Sequence, residues 1–194
     1  MRRLLLALPL LLILGCDRKS PASVASPPSR SRGASKSTLA RLPKGSVVQV
    51  RVVGVTDGDT VKVLTEDKTE IKMRLNGIDA PESKMPFGTQ AKSNLSDLVF
   101  NKTVTAKIDN YDRYGRAVGE LTLGGASVNE RMVRDGYAWW YRAYAKKNTT
   151  LERLEREARA AKRGLWHDAR PKAPWEWRKA KREKASSNDE EFQF

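Results

Sequence analysis

Apolar and polar residues follow a two-residue period in parts of residues 47–75, which predicts β-strands. Residues 47–64 read VVQVRVVGVTDGDTVKVL, where two runs rich in β-branched residues flank Asp57-Gly58-Asp59. An Asp-Gly pair between two such runs is typical of a hairpin turn, so two antiparallel strands are predicted. Residues 70–75 (EIKMRL) alternate polar and apolar side chains and predict a third strand, which ends at Asn76-Gly77.

The pattern changes to helical spacing at three later points. Helices are predicted over residues 90–100, 128–135 and 151–162, and two further strands over residues 103–108 and 116–123. Five short strands interrupted by a helix fit a small antiparallel barrel. We therefore predict an α+β, β-rich fold in residues 44–167, a five-stranded OB-fold barrel with three packed helices.

The N-terminal residues have the pattern of a targeting segment. Two arginines precede the apolar run from Leu4 to Leu14, which is too short to span a bilayer as a mature helix but suits a signal peptide. The run continues into Gly15-Cys16 and resembles the lipobox of bacterial lipoproteins, in which the Cys is acylated. We interpret residues 1–16 as a signal peptide and Cys16 as a lipidation site on an extracytoplasmic, membrane-anchored protein. The alternative is ordinary secretion, periplasmic or extracellular, with cleavage slightly later, for instance after Ala25.

Two segments of low complexity flank the predicted domain. Residues 17–43 are dominated by Ser, Pro, Ala, Gly and Arg without apolar periodicity and are interpreted as a flexible linker. Residues 168–194 contain Trp175-Glu176-Trp177 followed by a run of Lys and Arg. We interpret this segment as a docked aromatic clip followed by a basic tail that is expected to be disordered.

The amino-acid composition excludes several kinds of structural and catalytic site. Its 194 residues include 37 Lys and Arg against 23 Asp and Glu, for a net charge of +14, with one Cys and one His. A disulfide framework within the chain, a Cys/His zinc cluster and a two-histidine acid/base mechanism are therefore excluded. Without residues 1–42 the net charge is still +7. This excess favours a polyanionic partner, either nucleic acid or an anionic lipid surface contacted by the basic tail.

The candidate catalytic residues are carboxylates and arginines in neighbouring loops. Asp59 lies in the predicted hairpin, and Arg74, Asp79 and Glu82 lie at the end of the next strand and in the loop after it. Each has a simpler alternative, as a turn residue or as part of a surface ion pair. Against that alternative, Pro81 stiffens the chain between two carboxylates, which is useful where they must be held in position.

Four motifs, in their order along the chain, resemble those of the staphylococcal nuclease (thermonuclease) family. They are Asp57-Gly58-Asp59-Thr60, residues 74–82 (RLNGIDAPE), Tyr114-Gly115-Arg116 and Gly164-Leu165-Trp166. The resemblance covers roughly residues 47–166, and residues 174–178 (PWEWR) resemble the C-terminal motif of bacterial secreted members. Together the motifs are far more specific than any one of them.

The resemblance implies a single Ca²⁺ site. Its ligands would be the side chains of Asp59 and Asp79 and the backbone carbonyl of Ala80, which are hard oxygen donors that suit this ion. Asp57 and Thr60 would lie just behind these ligands, where Asp57 would hold ordered water around the metal. The family usually has Thr at the position of Ala80. Because the backbone ligand is retained, we expect altered Ca²⁺ affinity and not its loss.

The resemblance also implies roles in catalysis. Glu82 would act as general base or orient the attacking water, and Arg74 and Arg116 would each bind the scissile phosphate through a planar guanidinium. Tyr114 and Tyr144 would stack on or hydrogen-bond to the nucleotide, and stacking tolerates any base. The implied function is a Ca²⁺-dependent nuclease that hydrolyses phosphodiester bonds of DNA and RNA with little sequence specificity and leaves 3′-phosphate ends.

Two other functions fit parts of the sequence. A non-catalytic OB-fold lipoprotein that binds nucleic acid would keep the basic surface and the aromatic residues without needing Asp59, Asp79 or Glu82. A lipoprotein that binds another anionic envelope component would need only the signal segment and the basic tail. A monomer is expected, because no contiguous apolar surface can be read from the sequence.

Overall fold

A computed structural model of the protein describes residues 41–191. The predicted signal peptide, its Cys16 and nearly all of the predicted linker lie outside the described residues. The strands within residues 41–191 are, in chain order, β1 (Val47–Asp57), β2 (Thr60–Leu64), β3 (Glu70–Leu75), β4 (Ile78–Asp79), β5 (Thr103–Tyr111), β6 (Ala117–Leu123), β7 (Ala126–Ser127) and β8 (Trp139–Trp140). The helices are α1 (Gly88–Val99), α2 (Val128–Arg134), α3 (Thr149–Ala160) and α4 (Pro174–Glu191), with a 3-10 turn at Gly164–His167.

The five longer strands form a closed barrel in the order β3-β2-β1-β5-β6. Neighbouring strands in this order are antiparallel. The barrel closes through a parallel pairing of β3 with β6, in which Met73, Arg74 and Leu75 are in register with Ala117, Val118 and Gly119. This closure brings the end of β3 beside the start of β6, although 42 positions separate Arg74 from Arg116 along the chain.

The core follows from the alternating pattern of the strands. Every second residue of β2 and β3 is buried, including Val61, Val63, Ile71 and Met73, because successive side chains of a strand point to opposite faces. The helices α1, α2 and α3 pack their apolar faces on the same core. Their buried residues in this cluster are Ala91, Leu95, Val99, Val128, Met132, Val133, Leu151 and Leu154. The alternation thus decides which strand residues are left for the surface and the site.

A second, smaller apolar cluster lies beneath the C-terminal part of the chain. It contains Trp139, Ala158, Leu165, Trp166 and Ala173, with Phe87 and Trp175 packed against it. The rings of Trp139 and Trp166 meet edge to face with centroids 4.4 Å apart. Trp139 belongs to β8, which pairs with β4 in a two-stranded ribbon. This ribbon connects the second cluster to Asp79, the residue opposite Trp139.

The structure confirms the predicted α+β fold, a five-stranded OB-fold barrel with helices packed around it. It differs from the expectation at the C-terminus, where residues 174–191 form α4 in place of a disordered tail. The helix begins at Pro174, whose fixed φ suits the first position of a helix. No helix within residues 41–191 combines the length and the apolar character that crossing a bilayer requires.

Candidate active site

One cleft of about 900 Å³ brings together most of the site residues predicted from the sequence. It is lined by the predicted residues Asp57, Asp59, Arg74, Asp79, Ala80, Glu82, Tyr114, Arg116 and Tyr144. Thr60 does not line the cleft but is buried behind it, and its hydroxyl donates to Asp59 Oδ1 at 2.9 Å. Cys16 lies outside the described residues. The cleft is also lined by Tyr141, Arg178, Lys181 and Arg182, which had no assigned role in the sequence-based site.

The β1–β2 hairpin places Asp57 and Asp59 at one end of the barrel. Asp57 is in register with Thr60, and its Oδ1 accepts a hydrogen bond from the Asp59 backbone N–H at 3.2 Å. Between them, a Cβ atom on Gly58 would lie 2.7 Å from the Cβ atoms of both Ala80 and Ala91. Only glycine therefore allows the turn to pack this closely against the Ala80 loop and α1.

The next strand brings an arginine and a second aspartate to the hairpin. Arg74 is in register with Thr60 across the β2–β3 pair, and the Leu75 backbone N–H donates to the Asp59 carbonyl at 2.8 Å. The chain then turns at Gly77, where φ is +77°, and enters β4. Pairing of β4 with β8 fixes Asp79, which is fully buried.

A single guanidinium joins the two buried aspartates. Arg74 Nη1 lies 2.5 Å from Asp59 Oδ1, and Arg74 Nη2 lies 2.8 Å from Asp79 Oδ1. The second oxygen of Asp59 accepts from the Ala80 backbone N–H at 2.9 Å. Arg74 Nη2 also donates to the Ile78 carbonyl at 3.4 Å. Each terminal nitrogen of an arginine carries two N–H groups, so within the described residues the second N–H of Nη1 is left for a further ligand. The two aspartates are thus held around a common cationic centre.

Burial leaves the charge of Asp59 only partly compensated. Removal from water raises the pKa of Asp59 to about 6, against the opposing effect of the Arg74 charge, and the nearby Asp57 raises it further. Burial disfavours the charge of Arg74 as well, but Asp59 and then Asp79 outweigh this effect and raise the pKa of Arg74. A carboxylate with this pKa gains from an additional cation, because a second positive charge favours its ionised form.

Glu82 lies in a compact loop between β4 and α1. The Glu82 carbonyl accepts from the Met85 backbone N–H at 2.7 Å, and the loop returns to touch it at Gly88. A Cβ atom on Gly88 would lie 2.0 Å from the Glu82 carbonyl oxygen, so this return requires glycine. The Glu82 side chain is 42% exposed, unlike Asp59 and Asp79. Its carboxylate is therefore accessible to water in the cleft.

Arg116 is positioned by the β5–β6 turn. Asp112 accepts from Arg116 Nε at 2.6 Å and from the backbone N–H groups of Tyr114 and Arg116 at 2.9 and 3.0 Å. Burial would raise the pKa of Asp112, but these hydrogen bonds and the Arg116 charge lower it. Asp112 binds only Nε, and within residues 41–191 the terminal nitrogens of Arg116 make no hydrogen bond or ion pair. Two terminal nitrogens, which carry four N–H groups, are thus left for a ligand at the cleft.

Exposed aromatic rings lie beside these charged groups. Tyr114 is 69% exposed and Tyr144 is 75% exposed, although both line the cleft. Arg113 and Arg116 lie over the Tyr114 ring, 4.9 and 5.7 Å from its centroid. Tyr141 lies next to Tyr144, with ring centroids 4.8 Å apart. These rings offer flat apolar surfaces on which a base can stack.

The helix α4 brings a further arginine, Arg178, to the carboxylates of the cleft. Arg178 Nη2 lies 2.6 Å from Asp79 Oδ2, and Arg178 Nη1 lies 3.4 Å from Glu82 Oε1. The sequence contains a pattern that could have predicted this residue: Trp175 and Arg178 are three positions apart, so in a helix they share one face. The basic run after Trp177 was interpreted as disordered instead, so Arg178 was missed.

The oxygen donors of the cleft fit a hard divalent cation. Within residues 41–191, no three His, Cys, Asp or Glu side chains converge in a way that would hold a metal ion. The predicted set of metal ligands contains only two such side chains, Asp59 and Asp79, and its third member is the backbone carbonyl of Ala80. Both carboxylates face Arg74, Asp79 also faces Arg178, and the charge of Asp59 is only partly compensated. Carboxylate and carbonyl oxygens are the donors that such ions prefer.

Comparisons with known proteins connect this cleft to nucleases. The chain is 38% identical over 152 residues to a micrococcal nuclease of Shigella flexneri, an alignment that covers 73% of the chain and 87% of that protein. It is 46% identical over 132 residues to an uncharacterized endonuclease of Escherichia coli O157:H7, covering 68% and 85%. A probable staphylococcal-like nuclease of Oryza sativa subsp. japonica is 44% identical over 111 residues, covering 57% of this chain and 33% of that protein. The chain thus matches only about a third of the plant relative but most of the bacterial ones.

The family model that matches the chain is that of staphylococcal nuclease homologues, over residues 72–168. This range contains Arg74, Asp79, Glu82 and Arg116, and the hairpin with Asp59 lies N-terminal to it. The bacterial alignments extend beyond the range and cover most of each relative. On the fold, the cleft and these matches together, the chain belongs to the staphylococcal nuclease family.

Proposed function

We propose that the protein is a Ca²⁺-dependent nuclease that hydrolyses phosphodiester bonds of DNA and RNA with little sequence specificity and leaves 3′-phosphate ends. The observation that carries the proposal is the joint placement of two arginines, two buried aspartates and an accessible glutamate in one cleft. The names of the bacterial relatives support it. The exposed tyrosines supply contacts that are independent of base identity.

The metal-binding residues in this proposal are Asp59, Asp79 and the carbonyl of Ala80. When bound there, Ca²⁺ would polarise a phosphate oxygen and offset the negative charge that develops on it. The protein contributes the arrangement of the ligands. Arg74 and the Ala80 N–H hold the two oxygens of Asp59, and the β4–β8 pairing holds Asp79. Because these metal-binding groups are already held in place, they lose little conformational freedom when they bind the ion.

The reaction proposed is in-line attack of water on phosphorus. Glu82 orients the water and accepts its proton as the new P–O bond forms. The bond from phosphorus to the 5′ oxygen breaks, its electron pair stays on that oxygen, and a proton from solvent neutralises it. Arg74 and Arg116 donate N–H groups to the phosphate oxygens, whose negative charge increases in the transition state. The remaining phosphate stays on the 3′ oxygen of the preceding nucleotide.

The proposal is tested by hydrolysis of single-stranded DNA with the purified protein, in Ca²⁺ and in a chelator, beside the variant Glu82→Gln. We expect cleavage in Ca²⁺ only, and a loss of turnover of about 10²-fold or more in the variant. The matched control is Glu66→Gln, because Glu66 is an exposed acid outside the cleft. Salt-sensitive binding of DNA without cleavage in any metal would contradict the proposal and favour a non-catalytic binding protein.

We also propose that the protein acts outside the cytoplasm, anchored to the membrane through Cys16. The support is the sequence of residues 1–16 alone, which lie outside the described residues. The variant Cys16→Ser tests it, because loss of the acylated residue should move the protein from the membrane fraction to the soluble fraction. An unchanged membrane fraction would contradict lipidation at this residue.

A further inference from the structure

The first three turns of α4 present cationic residues to the cleft. Trp175, Arg178 and Arg182 are three and four positions apart, so they share one face of the helix. All three line the cleft, together with Lys181. Arg178, Lys181 and Arg182 also lie beyond residues 72–168, the part of the chain that matches the family model. This face of α4 therefore borders the active site from outside the part of the chain that the family model matches.

Aromatic packing fixes α4 relative to the catalytic carboxylates. The Trp175 ring stacks parallel to Tyr141, with centroids 5.6 Å apart and planes 1° from parallel. It also meets Trp139 edge to face at 5.4 Å. Trp139 is the residue opposite Asp79 in the β4–β8 ribbon. The contact that anchors the helix and the predicted metal ligand thus lie on two paired strands, which keeps Arg178 in place over Asp79.

The guanidinium of Arg178 lies between two groups assigned to the reaction. It binds both oxygens of Asp79, with Nη2 at 2.6 Å from Oδ2 and Nη1 at 3.3 Å from Oδ1, and it reaches Glu82 Oε1 at 3.4 Å. Burial disfavours its charge, but the hydrogen bond and the charge of Asp79, followed by the hydrogen bond of Glu82, raise the pKa of Arg178. The side chain remains 30% exposed, so part of the fork still faces the cleft.

The neighbouring cations on this face are available for a polyanion. Within residues 41–191, the side chains of Lys181 and Arg182 make no ion pair or hydrogen bond, although both line the cleft. Charged residues on a helix surface commonly pair with an acid three or four positions away, as Lys179 does with Glu183. Unpaired cations beside a phosphate-cleaving site are better explained by contact with the substrate backbone.

We propose that Arg178 is a third phosphate-binding arginine of this active site, and that Lys181 and Arg182 extend the contact along the substrate strand. The inference rests on the proposed nuclease function and adds substrate-binding residues to it. In the free protein Arg178 holds Asp79 and Glu82 in position. With substrate bound, its planar fork donates to a phosphate oxygen next to these carboxylates, a geometry that lysine does not reproduce.

The test combines binding and turnover. Binding of a short fluorescent single-stranded DNA is measured by anisotropy in a chelator, where no hydrolysis is expected, at several salt concentrations. Turnover of the same DNA is then measured in Ca²⁺. The variants are Arg178→Ala, Arg178→Lys and Arg182→Ala, and the matched control is Lys179→Ala. Lys179 is on the same helix but does not line the cleft, and its side chain is 73% exposed.

We expect Arg178→Ala to weaken binding by about 10-fold, to raise KM similarly, and to reduce the slope of log affinity against log salt by about one. Arg178→Lys should recover only part of the loss, because it restores the charge without the fork. Arg182→Ala removes no side-chain hydrogen bond, ion pair or ring contact within the described residues, so we expect α4 to stay in place and binding to weaken by about 3-fold. Lys179→Ala should stay within about 2-fold of the unchanged protein.

Three outcomes would overturn the inference. Binding and KM unchanged in both Arg178→Ala and Arg182→Ala would show that this face does not contact substrate. Tighter binding or faster turnover in Arg178→Ala would show that α4 obstructs the cleft. Equal losses of DNA affinity in Lys179→Ala and Arg178→Ala would show that the effect comes from net charge and not from the position of Arg178. Failure of the unchanged protein to cleave DNA in any metal contradicts the nuclease proposal alone, since the binding measurements still report on Arg178.

Discussion

Arg74 and Arg116 line the same cleft, but their surroundings differ. Arg74 lies on a barrel strand and uses both terminal nitrogens to bind two buried carboxylates. Arg116 lies just after a hairpin turn and uses only Nε to bind Asp112, which two backbone N–H groups also hold. Removal of the Arg74 side chain takes a cationic partner from two buried carboxylates. Removal of the Arg116 side chain leaves Asp112 with its two backbone hydrogen bonds. Two side chains with the same proposed role should therefore differ in their effect on stability.

The largest effect is expected for Arg74→Ala, which removes a phosphate-binding group and a partner of two buried carboxylates. We expect kcat/KM to fall by on the order of 10²-fold or more, and the free energy of unfolding to fall by about 3 kcal/mol. The loss of stability should be smaller at pH 5 than at pH 8, because Asp59 can bind a proton at the lower pH. Chemical denaturation at both pH values and steady-state kinetics measure these changes. Unchanged turnover would contradict the proposed role.

A comparable catalytic loss with little loss of stability is expected for Arg116→Ala. The turnover number should fall by about 10²-fold, whereas the free energy of unfolding should change by about 1 kcal/mol or less, because Asp112 keeps its backbone hydrogen bonds. Kinetics and denaturation of this variant beside Arg74→Ala measure the contrast. An equal loss of stability in both variants would remove the distinction between the two regions.

A third effect, on stability alone and not on turnover, is the pH dependence that Asp59 gives to the metal-free protein. Its pKa is about 6 in the fold and 3.8 in the absence of the fold's influence, so the native state binds the proton more tightly. The free energy of unfolding should therefore fall as pH rises from about 4 to about 6, by about 3 kcal/mol from this group, and then level off. Asp59→Asn should lack this component, and bound Ca²⁺ should reduce it in the unchanged protein. Denaturation curves at closely spaced pH values measure it, and identical pH profiles for the two proteins would contradict it.

The sequence predicted the barrel side of the site well because its elements have local signals. The alternation of residues 70–75 gave the observed bounds of β3, and the Asp-Gly turn gave the β1–β2 hairpin. The alanine and leucine spacing of residues 151–162 gave α3 to within two residues at each end. These features depend on the order of residues in the segment itself, so no knowledge of the remaining fold is required.

The β4–β8 ribbon and the placement of α4 beside the site could not be predicted from local patterns in this way. The strands β4 and β8 have two residues each, too few to show a period, and they pair across about 60 positions of sequence. The placement of Arg178 depends on the packing of Trp175 against Tyr141 and Trp139, more than 30 positions earlier in the chain. Contacts of this kind are properties of the tertiary structure, and a polar segment gives little sign of them.

The parallel seam between β3 and β6 has a consequence for how activity is gained during folding. The antiparallel pairs β1–β2, β2–β3 and β5–β6 are local in sequence and can form early. Arg74 meets the Arg116 end of β6 only when three residue pairs close the barrel. A folding chain that has made these three pairs but not the seam would hold each arginine within its own strand pair and would still lack activity. Recovery of activity during refolding should accordingly lag behind the return of strand structure, which makes catalysis a reporter of the last step of assembly.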